Sequence, residues 1–462
     1  MLTHTANGDS RLSFWRRVRE FAVPPSMIET ATARRLTGDW AGACAAAGID
    51  VDFTLRSVAQ DHGRHLAARV RADLRRLAPD LLRWHMPRIA PDGLLRPALT
   101  LSLARYAPGG PGDGRPVHLV VRTAPAWADA GQRMSLALWD ASRPADRARL
   151  HPHPCPDRRF RLDLHRHLWD ADRAGELGAR SGTPPGNPGP DPELIPPEFG
   201  CAVGRWADEA RILLAAEGRP GGSGTVLVRL GGRRRLALEP AGRGDGDGPP
   251  ALRITGAPTG GGVSALPVLP DAATWILPDL ELLRTGAIDA GLLHPLVASA
   301  LVPGRSPGRP ARSDDPAGRA RLVECRGARH RIGLVDGVLA ALDHEPDEIR
   351  REELLAALTG TPLPCLQAID RAHRRPDCLD GVRERLNHGD IAGALAVVEG
   401  LLGPEALLRD GALRDALEEA AHRRITYGLF RAGLTGPGPA RARPQDRRLP
   451  HLRSHPRHAA AR

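Results

Sequence analysis

The chain has 462 residues, of which 41% are apolar, enough material for more than one hydrophobic core. Its 65 basic residues are all arginine, no lysine occurs, and the formal charge is +11. The missing amine excludes a P-loop, whose lysine lies on nucleotide phosphates, as well as a protein kinase and a Schiff-base enzyme.

Abundant Ala, Gly, Pro and Arg beside three asparagines (Asn7, Asn187 and Asn387) mark a GC-rich coding sequence, which accounts for the missing lysine by composition. The positive charge is concentrated. Gly436–Arg462 carries seven arginines against Asp446, and Pro303–Arg321 carries five against Asp314 and Asp315, giving nine of the eleven net charges. Their Pro/Gly-rich composition reads as a linker at 303–321 and a disordered basic tail at 436–462. A tail of this kind suits nucleic acid, because guanidinium–phosphate contacts release counterions.

Cys44, Cys155, Cys201, Cys325, Cys365 and Cys378 are scattered with no CxxC pair, the usage of free thiols in a reducing compartment. The first residues lack the basic start and apolar run of a signal peptide, and no apolar stretch approaches ~18 residues. The expectation is a cytoplasmic protein with no membrane association.

Segment 11–90 reads as helical. Ser26 and Glu29 have capping-box spacing after Pro24-Pro25. Leu66, Val70, Leu74, Leu77 and Leu81 recur as one apolar stripe, with Arg64, Arg71 and Arg75 on another face. Asp61, Asp73 and Asp80 interrupt that basic face, which therefore reads as solvated rather than as a nucleic-acid surface.

From Leu94 the period changes to two. Strands are expected over Ala98–Tyr106, Val117–Arg122, Met134–Trp139 and Phe160–His165, a helix over Trp206–Ala216, and a hairpin over Thr225–Glu239 turning on Gly231-Gly232. Leu252–Thr255 adds a further strand. Residues 94–302 thus form a β-rich, largely antiparallel region with helical insertions. Pro/Gly-rich loops interrupt it at Pro108–Gly114, Gly182–Pro190 and Gly242–Pro250, and short helices such as Pro278–Arg284 and Leu292–Leu301 close it.

Segment 322–435 begins with a meander over Leu322–Arg326, His330–Val335 and Val338–Leu342. Helices follow over Glu348–Leu358, Leu366–His373, Ala392–Leu402 and Ala412–Tyr427. The fold class is α+β: an N-terminal helical segment, a central antiparallel β region, and a C-terminal β-meander plus helical bundle. One internal echo joins distant parts. Arg35–Cys44 resembles Arg385–Leu395 with one residue inserted, each carrying a Gly-Asp pair suited to ending one helix and capping the next.

Five candidate metal ligands lie close together: His151, His153 and Cys155 in a proline-rich run, then His165 and His167. On a strand, His165 and His167 would share one face and reach one zinc ion, which would make the chain a metal-dependent enzyme. Alternating prolines splay the first trio around a polyproline axis, so a loop leading into an edge strand is the competing reading. Cys365, His373, Cys378 and His388 form a looser set whose spacing argues against a shared metal. Gly221–Thr225 lacks the spacing of a nucleophile elbow, and Asp170 with Asp172 suits helix capping. The catalytic residues are therefore unknown, and no cofactor motif occurs.

Phe21–Glu29, Gly38–Cys44 and Leu269–Trp275 resemble, with most of the chain, a protein family from Streptomyces-type actinobacteria that has no assigned activity. The resemblance carries an association with gene neighbourhoods encoding MoxR-type AAA+ ATPases and von Willebrand A proteins, and so implies a partner protein of one of those kinds. The leading expectation is a non-catalytic adaptor or regulatory subunit acting through protein–protein contacts. The alternatives are nucleic-acid binding through 436–462 and zinc-dependent chemistry at the histidine cluster.

Overall fold

The computed structural model describes residues 8–107, 116–128, 130–142, 151–181, 194–196, 199–219, 224–231, 234–240, 252–257, 263, 265–304, 321–325, 327–335, 338–341, 343–359, 364–366, 377–402 and 412–434. The expected linker (beyond residue 304), the basic tail, the three Pro/Gly-rich loops and most of Leu366–His373 lie outside them. The protein is α+β and divides into two units, the first running to residue 310 and the second from 311 to 431.

The first unit opens with α1 (Gly8–Phe21), which buries Phe14, Trp15 and Val18. Next comes α2 (Pro25–Leu36), where proline in the first turn supplies a preset φ. Ser26 lies inside that helix and caps nothing, so the expected capping box does not form there. It forms at α4 (Leu55–His62) instead, after α3 (Trp40–Ala46) and β1 (Ile49–Val51): the Thr54 hydroxyl accepts the Ser57 N–H, and Ser57 accepts the Thr54 N–H. Serine replaces the glutamate of the usual pattern, which hides the box from a motif search.

The apolar stripe is buried throughout but belongs to two helices, α5 (Arg64–Arg76) and α6 (Pro79–His85). Leu77 and Ala78 leave helical geometry, and Pro79 starts the next helix. Arg64, Arg71 and Arg75 are exposed as expected, whereas Asp73 and Asp80 turn inward. The Asp73 carboxylate accepts bonds from Tyr106, Arg166 and Arg76.

Strands β2 (Arg88–Ile89) and β3 (Leu94–Leu95) make a short hairpin before β4 (Thr100–Tyr106), β5 (Val117–Thr123) and β6 (Met134–Asp140). The last three pair antiparallel, and β1 joins the edge of β6 in parallel, giving the order β1-β6-β5-β4. Leu101, Val121 and Leu136 of this sheet share one core with Leu74, Leu81 and Trp84 of the helices. Segment 11–90 and the sheet that follows are therefore parts of one unit.

Phe160–His165 does not form the expected strand. Only an isolated bridge links Arg161 to Ser102, and the chain turns into a 3-10 element at Arg166–Leu168. Phe160 and Leu162 are buried, as alternation predicts, but they reach the core from turns. Beyond α7 (Glu176–Ser181) and α8 (Trp206–Ala216), strands β7 (Val226–Arg229), β8 (Arg235–Pro240) and β9 (Leu252–Gly256) form an antiparallel sheet. Trp206, Leu213, Val226 and Leu238 fill its core. Three short helices close the unit: α9 (Asp271–Thr274), α10 (Pro278–Arg284) and α11 (Pro295–Leu301).

The second unit contains the expected meander, β10 (Arg321–Cys325), β11 (Ala328–Val335) and β12 (Val338–Ala341). Its helices span Pro346–Thr359, Asp377–Asn387, Ile391–Leu402 and Ala412–Ala432, and Val382, Leu386, Ala394, Val398 and Ala420 form a core among the last three.

The internal echo is structural. Gly38 and Gly389 both have positive φ, +79° and +85°, ending one helix in the left-handed region. Asp39 and Asp390 each accept the N–H three residues on, and Arg34 and Arg385 each reach the same aspartate from five residues back. The matching arginine is thus Arg34 rather than Arg35, and the two copies align without an insertion.

Candidate functional site

A narrow cleft of about 110 Å³ lies in the first unit. It is walled by α1, the end of α6, residues 159–168, residues 199–205 and the chain from α9 into α10. Trp15, Trp84, Phe160, Phe199 and Trp275 give it aromatic sides. Six arginines and two histidines supply its polar lining, with Asp271 among them.

His85 ends α6, and His167 sits in the 3-10 turn at Arg166–Leu168. Neither ring makes a hydrogen bond among the described residues, and both the Nε2 of His85 and the Nδ1 of His167 are buried without a partner. A buried polar atom left in this state costs roughly 1–3 kcal/mol, so the arrangement calls for explanation. Burial pushes the His85 imidazolium well below its usual range, and Arg19 and His294 add to it. His167 is lowered likewise, first by burial, then by His165 and Arg180. Two neutral rings therefore face the cleft at neutral pH, each with one donor and one acceptor nitrogen.

The arginines differ in how they are balanced. Arg19 makes a bidentate pair with Asp279 at 2.8 and 2.6 Å, and Arg159 makes one with Asp271 at 3.1 and 2.6 Å. Arg161 holds Asp163 at 2.9 Å, and Arg11 holds Glu281 at 2.8 Å. Arg180 and Arg205 instead share Glu209, at 2.7 and 3.1 Å, and the Nε2 of His165 approaches the same carboxylate at 3.1 Å. Burial pushes the Glu209 carboxyl up, but His165 and Arg180 outweigh it and hold it down at about 2. One fixed negative charge thus faces two guanidiniums.

The five residues expected to hold zinc are distributed otherwise. His165 and His167 are adjacent, their rings 5.8 Å apart and edge to face, but on a turn rather than a strand. The Nδ1 of His165 lies 3.0 Å from the Arg161 carbonyl, and its Nε2 faces Glu209. His151 is committed at the end of β5: its Nδ1 accepts the His153 N–H at 3.2 Å, so its Nε2 donates to the Thr123 carbonyl at 3.0 Å. His153 and Cys155 are exposed. Among the described residues no group of three or more His, Cys, Asp or Glu side chains is placed to hold a metal ion. In the second set Cys365 and His388 are buried, while the His373 and Cys378 side chains lie outside the described residues. Asp170 caps the 3-10 turn that follows it by accepting the Asp172 N–H.

Among the groups that shape the cleft, His85, Arg180, Arg205 and Glu209 escaped the sequence reading, as did Arg19 and Arg159. The one local signal is Arg205 four residues before Glu209, the spacing of a helical ion pair. No protein-family model, curated protein or solved structure matches this chain. Among the described residues, no helix is long and apolar enough to cross a membrane.

Proposed function

We propose that this chain is a regulatory binding subunit whose first unit holds a small molecule in the cleft between His85 and His167. The observation that carries this reading is a pair of imidazoles whose buried nitrogens, the Nε2 of His85 and the Nδ1 of His167, have no partner among the described residues, set in an aromatic-walled cleft. Both nitrogens are shielded as the rings stand, so a ligand that turns either ring towards it removes the penalty of leaving them bare, and a concave apolar site with a few convergent polar groups is the usual form of a small-molecule pocket. Ser181, the hydroxyl of the lining, makes no hydrogen bond to either histidine, which favours binding over nucleophilic chemistry.

Ligand-observed NMR with a panel of small aromatic compounds, neutral and charged, tests the proposal. Ala202 lines the cleft, and its backbone N–H donates to the Thr274 carbonyl at 3.0 Å, a bond that a larger side chain preserves. Ala202→Trp is expected to abolish binding seen with the parent chain while the far-UV circular dichroism stays unchanged. An absence of binders, or binders that the filled variant retains, would refute the assignment.

The adaptor reading has its own support in the second unit. Leu395, Ile425 and Leu429 are 40%, 62% and 43% exposed, and the last two lie one helical turn apart on Ala412–Ala432. Exposed leucine and isoleucine at that spacing suit a protein partner. The resemblance noted above names the partners to try: a purified MoxR-type AAA+ ATPase and a von Willebrand A protein from the same organism. Binding lost on replacing Ile425 and Leu429 together by glutamate supports this reading; binding that survives removes it.

A further inference from the structure

The geometry points to a flat monoanion, an aromatic carboxylate in chemical class, seated with its acid group on Arg205 and its ring along Phe199 and Trp275. This inference rests on the cleft being a ligand site and specifies what that site selects.

The first argument is charge. Arg11, Arg19, Arg159 and Arg161 each have a carboxylate at 2.9 Å or less. Arg180 and Arg205 divide one between them, and Asp208, which also acts on Arg205, holds Arg211 at 3.3 Å, so among the described residues a single positive charge is left over at this end of the cleft. Of the two, Arg205 is the less committed. It gives one nitrogen to the Ala179 carbonyl at 2.7 Å and another to Glu209 at 3.1 Å, whereas Arg180 grips Glu209 with two nitrogens, at 2.8 and 2.7 Å. The Nε–H of Arg205 has no protein acceptor among the described residues. A planar guanidinium with a donor to spare matches a carboxylate in both shape and charge.

The second argument is desolvation. The Arg205 side chain is 11% exposed. Burial pulls its pKa down from the usual arginine value even with Glu209 opposing, so the cation is short of solvation. An anion arriving there replaces lost water, and in a site of reduced dielectric it is distinguished from a neutral isostere more strongly than in water.

The third argument is shape. The Cys201–Trp275 backbone bridge sets Trp275 beside the segment that carries Phe199, Ala202 and Arg205. Both aromatic side chains line the same cleft as the guanidinium. Its 110 Å³ lies below the ~150 Å³ of an apolar cavity that accommodates benzene, which limits the occupant to one ring with its acid group at the cleft's polar edge.

Calorimetric titration of the full chain with benzoate and with its neutral isostere benzamide tests the inference. Benzoate is expected to bind at least tenfold more tightly, and its affinity alone is expected to fall as salt is raised. Arg205→Gln should collapse the preference with benzamide affinity kept. Glu209→Gln, which frees both guanidiniums, should widen it. The salt titration needs no variant, so it decides the matter even if a substitution unfolds the chain. Equal binding of the two probes overturns the anion assignment and leaves the cleft reading standing. So does silence from both when other compounds of the aromatic panel bind. Silence from every compound overturns the cleft reading itself.

Discussion

Asp39 and Gly42 fit together at the start of α3: the aspartate carboxylate accepts the glycine N–H at 2.8 Å and fills the place a β-carbon on Gly42 would need. Asp390 and Gly393 repeat the arrangement in the second unit, with the bond at 2.9 Å. Each glycine is therefore required by the cap opposite it rather than by its own backbone angles.

Alanine at either glycine is expected to evict the cap and cost roughly 1–2 kcal/mol in the unit that carries it. The aspartates should be unequal. The Asp390 side chain is 7% exposed and that of Asp39 is 39% exposed, so Asp390→Ala should cost more, because it strips a better-shielded bond. Hydrogen exchange resolved by segment reads the two units separately; equal losses would count against this account.

Breaking the Arg19–Asp279 pair should be severe. Both side chains are buried, and the Asp279 carboxylate also accepts the Trp84 indole N–H at 3.0 Å. Asp279→Asn leaves a buried guanidinium without its counter-charge, a loss of roughly 3–5 kcal/mol. Replacing both partners by apolar residues of similar volume should recover much of it. Urea denaturation of the single and double variants measures the difference; a mild single variant would show that the charge is not held as described.

Acid should weaken the first unit before any carboxylate of ordinary strength is protonated. Burial pushes His151 down to about 4, below its unfolded value near 6.5. As pH falls from 6.5 towards 4 the unfolded chain takes up the proton first, so stability present above pH 6.5 is lost across that window. The shift corresponds to about 3 kcal/mol at most. Glu209, held at about 2, adds a separate loss below its unfolded value near 4.5. Melting temperature against pH should therefore slope steeply between 6.5 and 4, and His151→Gln should lessen that slope without removing it, because His85, His167 and His118 are also held low by burial.

Thiol reagents should distinguish the cysteines. Cys155 is exposed, whereas burial, helped by Asp39, pushes the Cys44 thiol up to about 12. Iodoacetamide at pH 8 is expected to alkylate Cys155 within minutes and to leave Cys44 untouched until denaturant is added. Peptide mass spectrometry before and after unfolding shows which occurs; early modification of Cys44 would mean that α3 opens readily.

Segments with a strong period of their own were readable in advance. β5 starts where alternation begins, at Val117, α8 spans Trp206–Ala216 as expected, and the meander after Arg321 keeps its three strands. β1 was not readable, because three residues between two helices carry no period, and its parallel pairing with Met134–Leu136 is a tertiary choice. Phe160 and Leu162 alternate like a strand and do enter the core, yet among the described residues the segment pairs only through the isolated bridge of Arg161 to Ser102. Local pattern records which way a side chain faces and not whether a neighbouring strand is there to receive the backbone. The site shows the same limit. His165 and His167 stand together as their spacing suggests, but what surrounds them comes from residues 85, 180, 205 and 209, which no spacing rule connects.

The tie between Arg19 and Asp279 also bears on how the protein is made. The two residues are 260 positions apart. At ~5–20 residues per second, a ribosome needs roughly ten to fifty seconds to pass from one to the other. Until Asp279 has been made, α1 carries an arginine destined for burial without the carboxylate that pairs with it in the fold. The apolar side chains of α1 can meet Leu74, Leu81 and Trp84 long before that, so its packing and its charge are satisfied at different times, and the guanidinium is the last part of the helix to be secured.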